Sequence, residues 1–128
     1  TYRNMIGALG FGLMMSFLGT MLGGIWADES WGRFWGWDPK ENGALLIVLW
    51  CAILFHARLG RFITPLGAAA GCVLGIVVVM WAWFGVNLLN VGLHSYGFTS
   101  GIATGLLAYV IGEIVFLALC VPLASKNK

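Results

Sequence analysis

Charge is what this sequence has least of. Only 9% of its 128 residues are charged, against 60% hydrophobic, and the mean hydropathy is +0.91. A soluble domain carries about 25% charged residues, so there are too few here to cover a water-facing surface. That excludes a water-soluble enzyme, and the formal net charge of +2 is too small to attract a polyanion. No nucleic-acid partner is expected. Cysteine is scarce as well. Cys51, Cys72 and Cys120 lie inside apolar runs far apart in the chain, which matches neither a disulfide framework nor a zinc site. They read as small buried hydrophobes. No Ala-x-Ala cleavage site follows the opening apolar run, Met5 to Ile25, and the run is too long for a signal peptide. Met is absent from the first position: the chain opens on Thr1 and stops at Ser125-Lys126-Asn127-Lys128. It is therefore expected to be a processed product or a piece of a longer protein.

Apolar runs are what the sequence has in abundance. A helix needs about 20 mostly apolar residues to cross a bilayer, and four segments qualify, at about 5–25, 39–57, 62–83 and 101–123. The expected fold is all-α, a polytopic membrane helical bundle with four transmembrane helices and the lipid bilayer around it. The second span opens on a recognisable signal. Asp38 is placed to cap it, Pro39 takes the first helical position and Glu41 falls three residues after the cap. Pro65 lies in the first turn of the third span, where its missing N–H does little harm.

Charge sets the expected orientation. Arg3, Arg58, Arg61, Lys126 and Lys128 fall on one side of a four-span chain, and Arg33 and Lys40 on the other. By the positive-inside rule both termini are cytoplasmic. Two outer loops follow, 26–38 and 84–99, with a short inner turn at 58–61. Glycine recurs every fourth residue at Gly67, Gly71 and Gly75, and again at Gly101 and Gly105. Such faces let helices approach closely in lipid, so a compact bundle is expected.

Four of the seven tryptophans, Trp26, Trp31, Trp35 and Trp37, crowd into the first outer loop. An interfacial aromatic belt is one explanation, and it suits Trp50, Trp81 and Trp83, as does plain packing. A belt does not require Trp31-Gly32-Arg33-Phe34-Trp35-Gly36-Trp37-Asp38-Pro39 as one run. Glycines between the rings allow several flat faces to line one surface, suited to a large, flat, apolar ligand with anionic edges. Arg33 and Lys40 are candidate partners for those edges.

The segment Trp26-Ala27-Asp28-Glu29-Ser30-Trp31-Gly32-Arg33-Phe34-Trp35-Gly36-Trp37-Asp38-Pro39-Lys40-Glu41-Asn42 resembles the WWD signature of the haem-handling proteins. Within them it is most similar to the CcsA/ResC type of system II cytochrome c biogenesis. The loop Gly85-Val86-Asn87-Leu88-Leu89-Asn90-Val91-Gly92-Leu93-His94-Ser95-Tyr96-Gly97-Phe98 resembles the same branch. The resemblance implies that haem b is held on the outer face at Trp31, Trp35, Trp37, Asp38 and Arg33, and is joined there to apocytochrome c. It also implies a partner membrane protein of the CcsB/ResB type. The location would be a bacterial cytoplasmic membrane or a thylakoid membrane, with this chain the C-terminal portion of the whole. The chain has no Cys-x-x-Cys-His of its own and no external thiol to attack the haem. Two alternatives stand beside this one: a WWD-type haem lyase or haem-delivery component of the other bacterial maturation pathway, and a transporter subunit with a tryptophan-rich external gate. A haem-free assembly subunit, its glycine faces binding partner helices, is a further one.

His56 and His94 are the two histidines. Alone, a loop residue such as His94 is more often a surface group than a ligand. Imidazole is nevertheless a standard axial ligand of haem, and the resemblance implies that His94 binds the iron at the outer site. His56 follows the second span, about 14 residues from Asn42 and so about 21 Å below the outer boundary. One iron cannot take both. His56 is either a snorkelling helix-end residue beside Arg58 or, as the resemblance implies, the ligand of a second haem station within the membrane. The family's remaining histidines lie upstream and are not supplied between Thr1 and Trp37. Glu113, the acidic residue inside the fourth span, falls at a depth similar to His56. It is expected either to orient that imidazole or to bond neighbouring Tyr109 or backbone.

Overall fold

The computed structural model describes residues 2–95 and 101–126. The Tyr96-Gly97-Phe98 part of the second loop, the loop's last residue Thr99, and the terminal residues Thr1 and Lys128 lie outside the described residues. Four helices follow one another: α1, Tyr2–Trp31; α2, Pro39–Leu59; α3, Pro65–Trp83; and α4, Ile102–Lys126. A 3₁₀ segment, Gly85–Leu89, follows α3. All four helices are long and apolar enough to cross a membrane.

Where the helices start follows from local chemistry. Asp38 is the N-cap of α2: its side chain accepts from the Glu41 N–H while the Glu41 side chain accepts from the Asp38 N–H, with Pro39 in the first turn. That reciprocal pair satisfies two of the donors every helix start leaves open. Thr64 caps α3 one way only, its hydroxyl accepting from Gly67 N–H, again with Pro65 in the first turn.

The end of α1 differs from expectation. Apolarity fades at Ile25, yet the helix continues to Trp31, so residues 26–31 belong to a helix rather than to the first loop. Polar residues do not stop a helix; a left-handed turn does. Gly32 supplies it at φ +70, and its N–H donates to Asp28 O at 2.9 Å, a common glycine termination. At about 1.5 Å per residue, 30 residues outrun the ~30 Å hydrocarbon layer, so an end turn stands free to carry Trp26, Asp28, Glu29 and Trp31.

The packing also departs from a compact bundle. Helix α2 packs against both α1 and α3, α1 also touches α3, and α4 packs on α3. Among the described residues α4 touches neither α1 nor α2. The glycine faces divide accordingly. A Cβ on Gly71 would run into Leu54, one on Gly75 would lie 3.1 Å from Trp50 Nε1, and one on Gly43 would lie 2.9 Å from the Ala82 backbone. These positions bring α2 and α3 together, and Trp50 Nε1 seals the contact by donating to Gly71 O at 3.0 Å. Gly101 and Gly105 face open space. Large apolar side chains on the outer faces, Phe11, Leu22, Leu107 and Leu119 among them, are more than half exposed, as lipid-facing residues are. All three cysteines are half-buried free thiols.

Candidate functional site

The two loops meet at one end of the helices, over the start of α2. Residues 32–38 come down from α1 and deliver Asp38 to its capping position, and the segment after α3 brings His94 across to it. His94 Nδ1 lies 2.6 Å from Asp38 Oδ2, and the carboxylate is almost fully buried. The approach depends on Gly92. Its φ is +89, and a Cβ there would lie 2.6 Å from Asp38 Cβ, so both conformation and space call for glycine.

The far side of Asp38 is held by an ion network. Arg33 Nη1 donates to Glu41 Oε1 at 2.9 Å, while Arg33 Nη2 stands 3.6 Å from Asp38 Oδ2. Glu41 Oε2 accepts from the backbone N–H of Gly36 at 2.7 Å and of Asp38 at 3.2 Å. A Cβ at Gly36 would overlap the Arg33 guanidinium where it now lies, so a larger residue there would displace that side chain. Burial alone would raise the pKa of Asp38. Hydrogen bonds from His94 and from the Glu41 and Lys40 backbone, with the charge of a protonated His94, outweigh it and hold Asp38 below the usual carboxylate value. A buried carboxylate with this many donors stays ionised.

Asp38, Glu41 and His94 bring potential metal-ligand atoms within 4.8 Å of one another, but the carboxylates are committed to the cap, the loop backbone, Arg33 and His94. Among the described residues the other ring nitrogen of His94 has no hydrogen-bond partner. A carboxylate on Nδ1 fixes the tautomer and orients Nε2 as a ligand, the arrangement by which histidines are held for iron or zinc. The Trp31 ring stands edge-on to the imidazole at 4.7 Å between centroids, and Trp26 packs on Trp31 at 5.1 Å.

Beside His94 opens a cavity of about 540 Å³, walled by Gly19, Gly23 and Trp26 of α1, Phe34 and Trp35 of the loop, Lys40 and Glu41 of α2, and Trp83. Ligand pockets commonly measure about 300–1,000 Å³, so it has room for a large flat molecule. Lys40 is the cation on its wall, with Nζ donating to Trp83 O.

The residues expected from the sequence therefore separate. His94, Asp38 and Trp31 form one contact group, and Trp35 lines the cavity. Trp37 packs edge-on to Trp35 at 5.8 Å, but it is 67% exposed and lies off the cavity wall. Arg33, expected at a ligand's anionic edges, is engaged by Glu41 and Asp38. His56 sits in the last turn of α2, at the opposite end from His94 and about 27 Å along the helix. It is exposed, with Nδ1 2.7 Å from Ala52 O. Of the two alternatives for Glu113, the bond to Tyr109 is the one made, with Glu113 Oε1 accepting from Tyr109 Oη at 2.6 Å, and His56 is out of reach because α4 does not touch α2. Trp83, Phe34 and Glu41 are the residues that reading the sequence did not place at the site. Glu41 had a signal, the capping box; Trp83, at the end of an apolar span, had none that separates it from packing.

A model of the family described as cytochrome c assembly protein matches residues 2–94. The chain is 44% identical over 90 residues to the cytochrome c biogenesis protein CcsA of Parasynechococcus marenigrum (strain WH8102), covering 70% of this chain and 30% of that one. It is 45% identical over 86 residues to that of Synechococcus sp. (strain CC9605), 67% and 28% respectively. It is 40% identical over 89 residues to that of Populus trichocarpa, 70% and 28%. The matched stretch thus spans less than a third of the relatives' length. No solved structure matches the chain. With four helices fit to cross a bilayer and such relatives, the chain is an integral membrane protein.

Proposed function

Because the chain belongs to the cytochrome c assembly protein family, in its CcsA branch, we propose that its tryptophan end holds haem for attachment to apocytochrome c. The observation that carries this reading is the 2.6 Å contact between His94 Nδ1 and buried Asp38, beside a cavity lined by tryptophans. In this reading haem b is the substrate and His94 Nε2 is its axial ligand. Trp26, Trp35 and Trp83 cover its apolar faces, and Lys40 meets a propionate.

The chemistry asked of the protein is position. Each thiol of an apocytochrome Cys-x-x-Cys-His segment adds across one haem vinyl group, sulfur to one carbon and hydrogen to the other. A ligand fixed by a buried carboxylate and a slot of aromatic walls hold the vinyls at a constant height and angle, which lowers the entropic part of the barrier. No nucleophile from this chain is needed. The end bearing Arg3, Arg58, Arg61 and Lys126 faces the cytoplasm or stroma by the positive-inside rule, and the tryptophan end faces the periplasm or thylakoid lumen. A partner membrane protein of the CcsB/ResB type and the remainder of the protein supply the second axial ligand. His56, hydrogen-bonded to Ala52 O of its own helix and beside Phe55, is the ligand of a separate membrane station completed by that remainder.

The test is the visible spectrum of the full-length protein, purified and titrated with haemin, with and without His94→Ala. A Soret band with low-spin features that is lost or shifted in the variant is expected. A folded full-length protein that binds no haemin sinks the reading and favours a transporter or an assembly subunit.

A further inference from the structure

Glu41 and Arg33 make no hydrogen bond to His94, yet both are joined to it through Asp38. Asp38 Oδ2 faces two cationic or polar partners, His94 Nδ1 at 2.6 Å and Arg33 Nη2 at 3.6 Å. The second contact is loose because Glu41 holds the guanidinium by its other nitrogen at 2.9 Å. Glu41 is itself fixed by two loop N–H groups and is 7% exposed, so it cannot follow Arg33 elsewhere. Gly36 leaves the corridor in which the guanidinium lies.

We propose that Glu41 and Arg33 are positioning residues that set how much of Asp38's negative charge reaches His94. The proposal rests on the reading of His94 as a haem ligand. Asp38 shared equally with a guanidinium polarises the imidazole N–H weakly; Asp38 left alone polarises it strongly and makes the histidine a more electron-donating ligand. Glu41 keeps Arg33 near enough to fold the loop and far enough to leave His94 most of the carboxylate. Charge-assisted pairs of this kind are strong at short range and fall off quickly as the contact lengthens, so the 3.6 Å gap is the control point.

The experiment is a redox titration of the haemin-loaded full-length protein and its variants. Arg33→Met leaves Asp38 to His94 alone, and the midpoint potential is expected to fall. Arg33→Lys restores a cation and is expected to bring it back toward the starting value. Glu41→Gln turns an amide N–H₂ toward Arg33, drives the guanidinium onto Asp38 and is expected to raise the potential. In the double variant Arg33→Met/Glu41→Gln there is no guanidinium to release, so the potential is expected near that of Arg33→Met alone. Two single shifts that add and cancel in the double variant would mean distant point charges and overturn the proposal. So would shifts of one sign, or an Arg33→Met potential that does not move. If Glu41→Gln does not fold, the Arg33→Met and Arg33→Lys pair decides alone. Failure of the starting protein to bind haemin through His94 would instead sink the underlying reading, which the His94→Ala spectrum reports separately.

Discussion

The chain's two histidines sit at opposite ends of α2, and their surroundings have little in common. His94 has a buried carboxylate on one ring nitrogen, a tryptophan edge on its face and a cavity beside it. His56 has a backbone carbonyl of its own helix on one nitrogen and Phe55 as its aromatic neighbour, and is exposed. A carbonyl four residues back fixes a tautomer but adds no charge. A buried carboxylate fixes the tautomer and strengthens the ligand. Among the described residues one histidine therefore has a charged partner, and the other is bonded only to its own helix.

The most damaging way to break that contrast, short of removing His94, is to remove its carboxylate. Asp38→Asn keeps a good helix cap, so the fold of α2 should survive. Losing the oriented imidazole is expected to weaken haemin binding by about 10–100-fold, the usual effect of removing such a partner. Equilibrium titration of the full-length protein measures it, with circular dichroism checking helix content. An unchanged affinity would mean that Asp38 serves only the cap. Gly92→Ala attacks the same contact from the other loop. A Cβ at φ +89 that meets Asp38 at 2.6 Å costs on the order of 1–3 kcal/mol, and roughly tenfold weaker haemin binding is expected on that scale.

Those two residues also mark what was legible in the sequence. Asp38, Pro39 and Glu41 announce a helix start because capping is local chemistry written within four positions. The spans were legible because lipid imposes a length, and the shared end of the two loops followed from counting spans. The pairing of Asp38 with His94 was not, since 56 residues of chain separate them and no periodic pattern links one loop to another. The end of α1 was misjudged because hydropathy reports where lipid ends, whereas the helix ends where Gly32 turns it. Glycine spacing was correctly informative at Gly71 and Gly75 and carried nothing at Gly101 and Gly105; a small face invites a neighbour but does not supply one. Arg33 was assigned to an anionic ligand because basic residues suit carboxylates, and the carboxylates it met were those of the chain itself.

The tryptophans sharpen the contrast within the His94 end. Trp83 and Trp37 are similarly exposed, at 62% and 67%, but only Trp83 is on the cavity wall. An aromatic contact contributes about 0.5–1.5 kcal/mol beyond its buried area. Trp83→Ala is expected to weaken haemin binding roughly 2–10-fold on that scale, and Trp37→Ala to leave it unchanged. Equal losses in the two variants would show that the cavity wall is not where haem lies.

The smallest effect is expected from His56. Substitution to Ala removes a ring that meets no residue of the tryptophan end, about 27 Å away along α2, and its hydrogen bond is one that any helix backbone forgoes without harm. The Soret band and affinity at the His94 site should therefore stay within about twofold, since sites this far apart with no shared partners act independently. What should change is a second, separable haem signal, if the rest of the protein completes a station around His56. Titrating the His94→Ala protein with haemin isolates that signal, and adding His56→Ala to it should abolish whatever remains. A Soret band at the His94 site that collapses on His56→Ala alone would erase the contrast between the two ends, because it would make His56 a condition for His94.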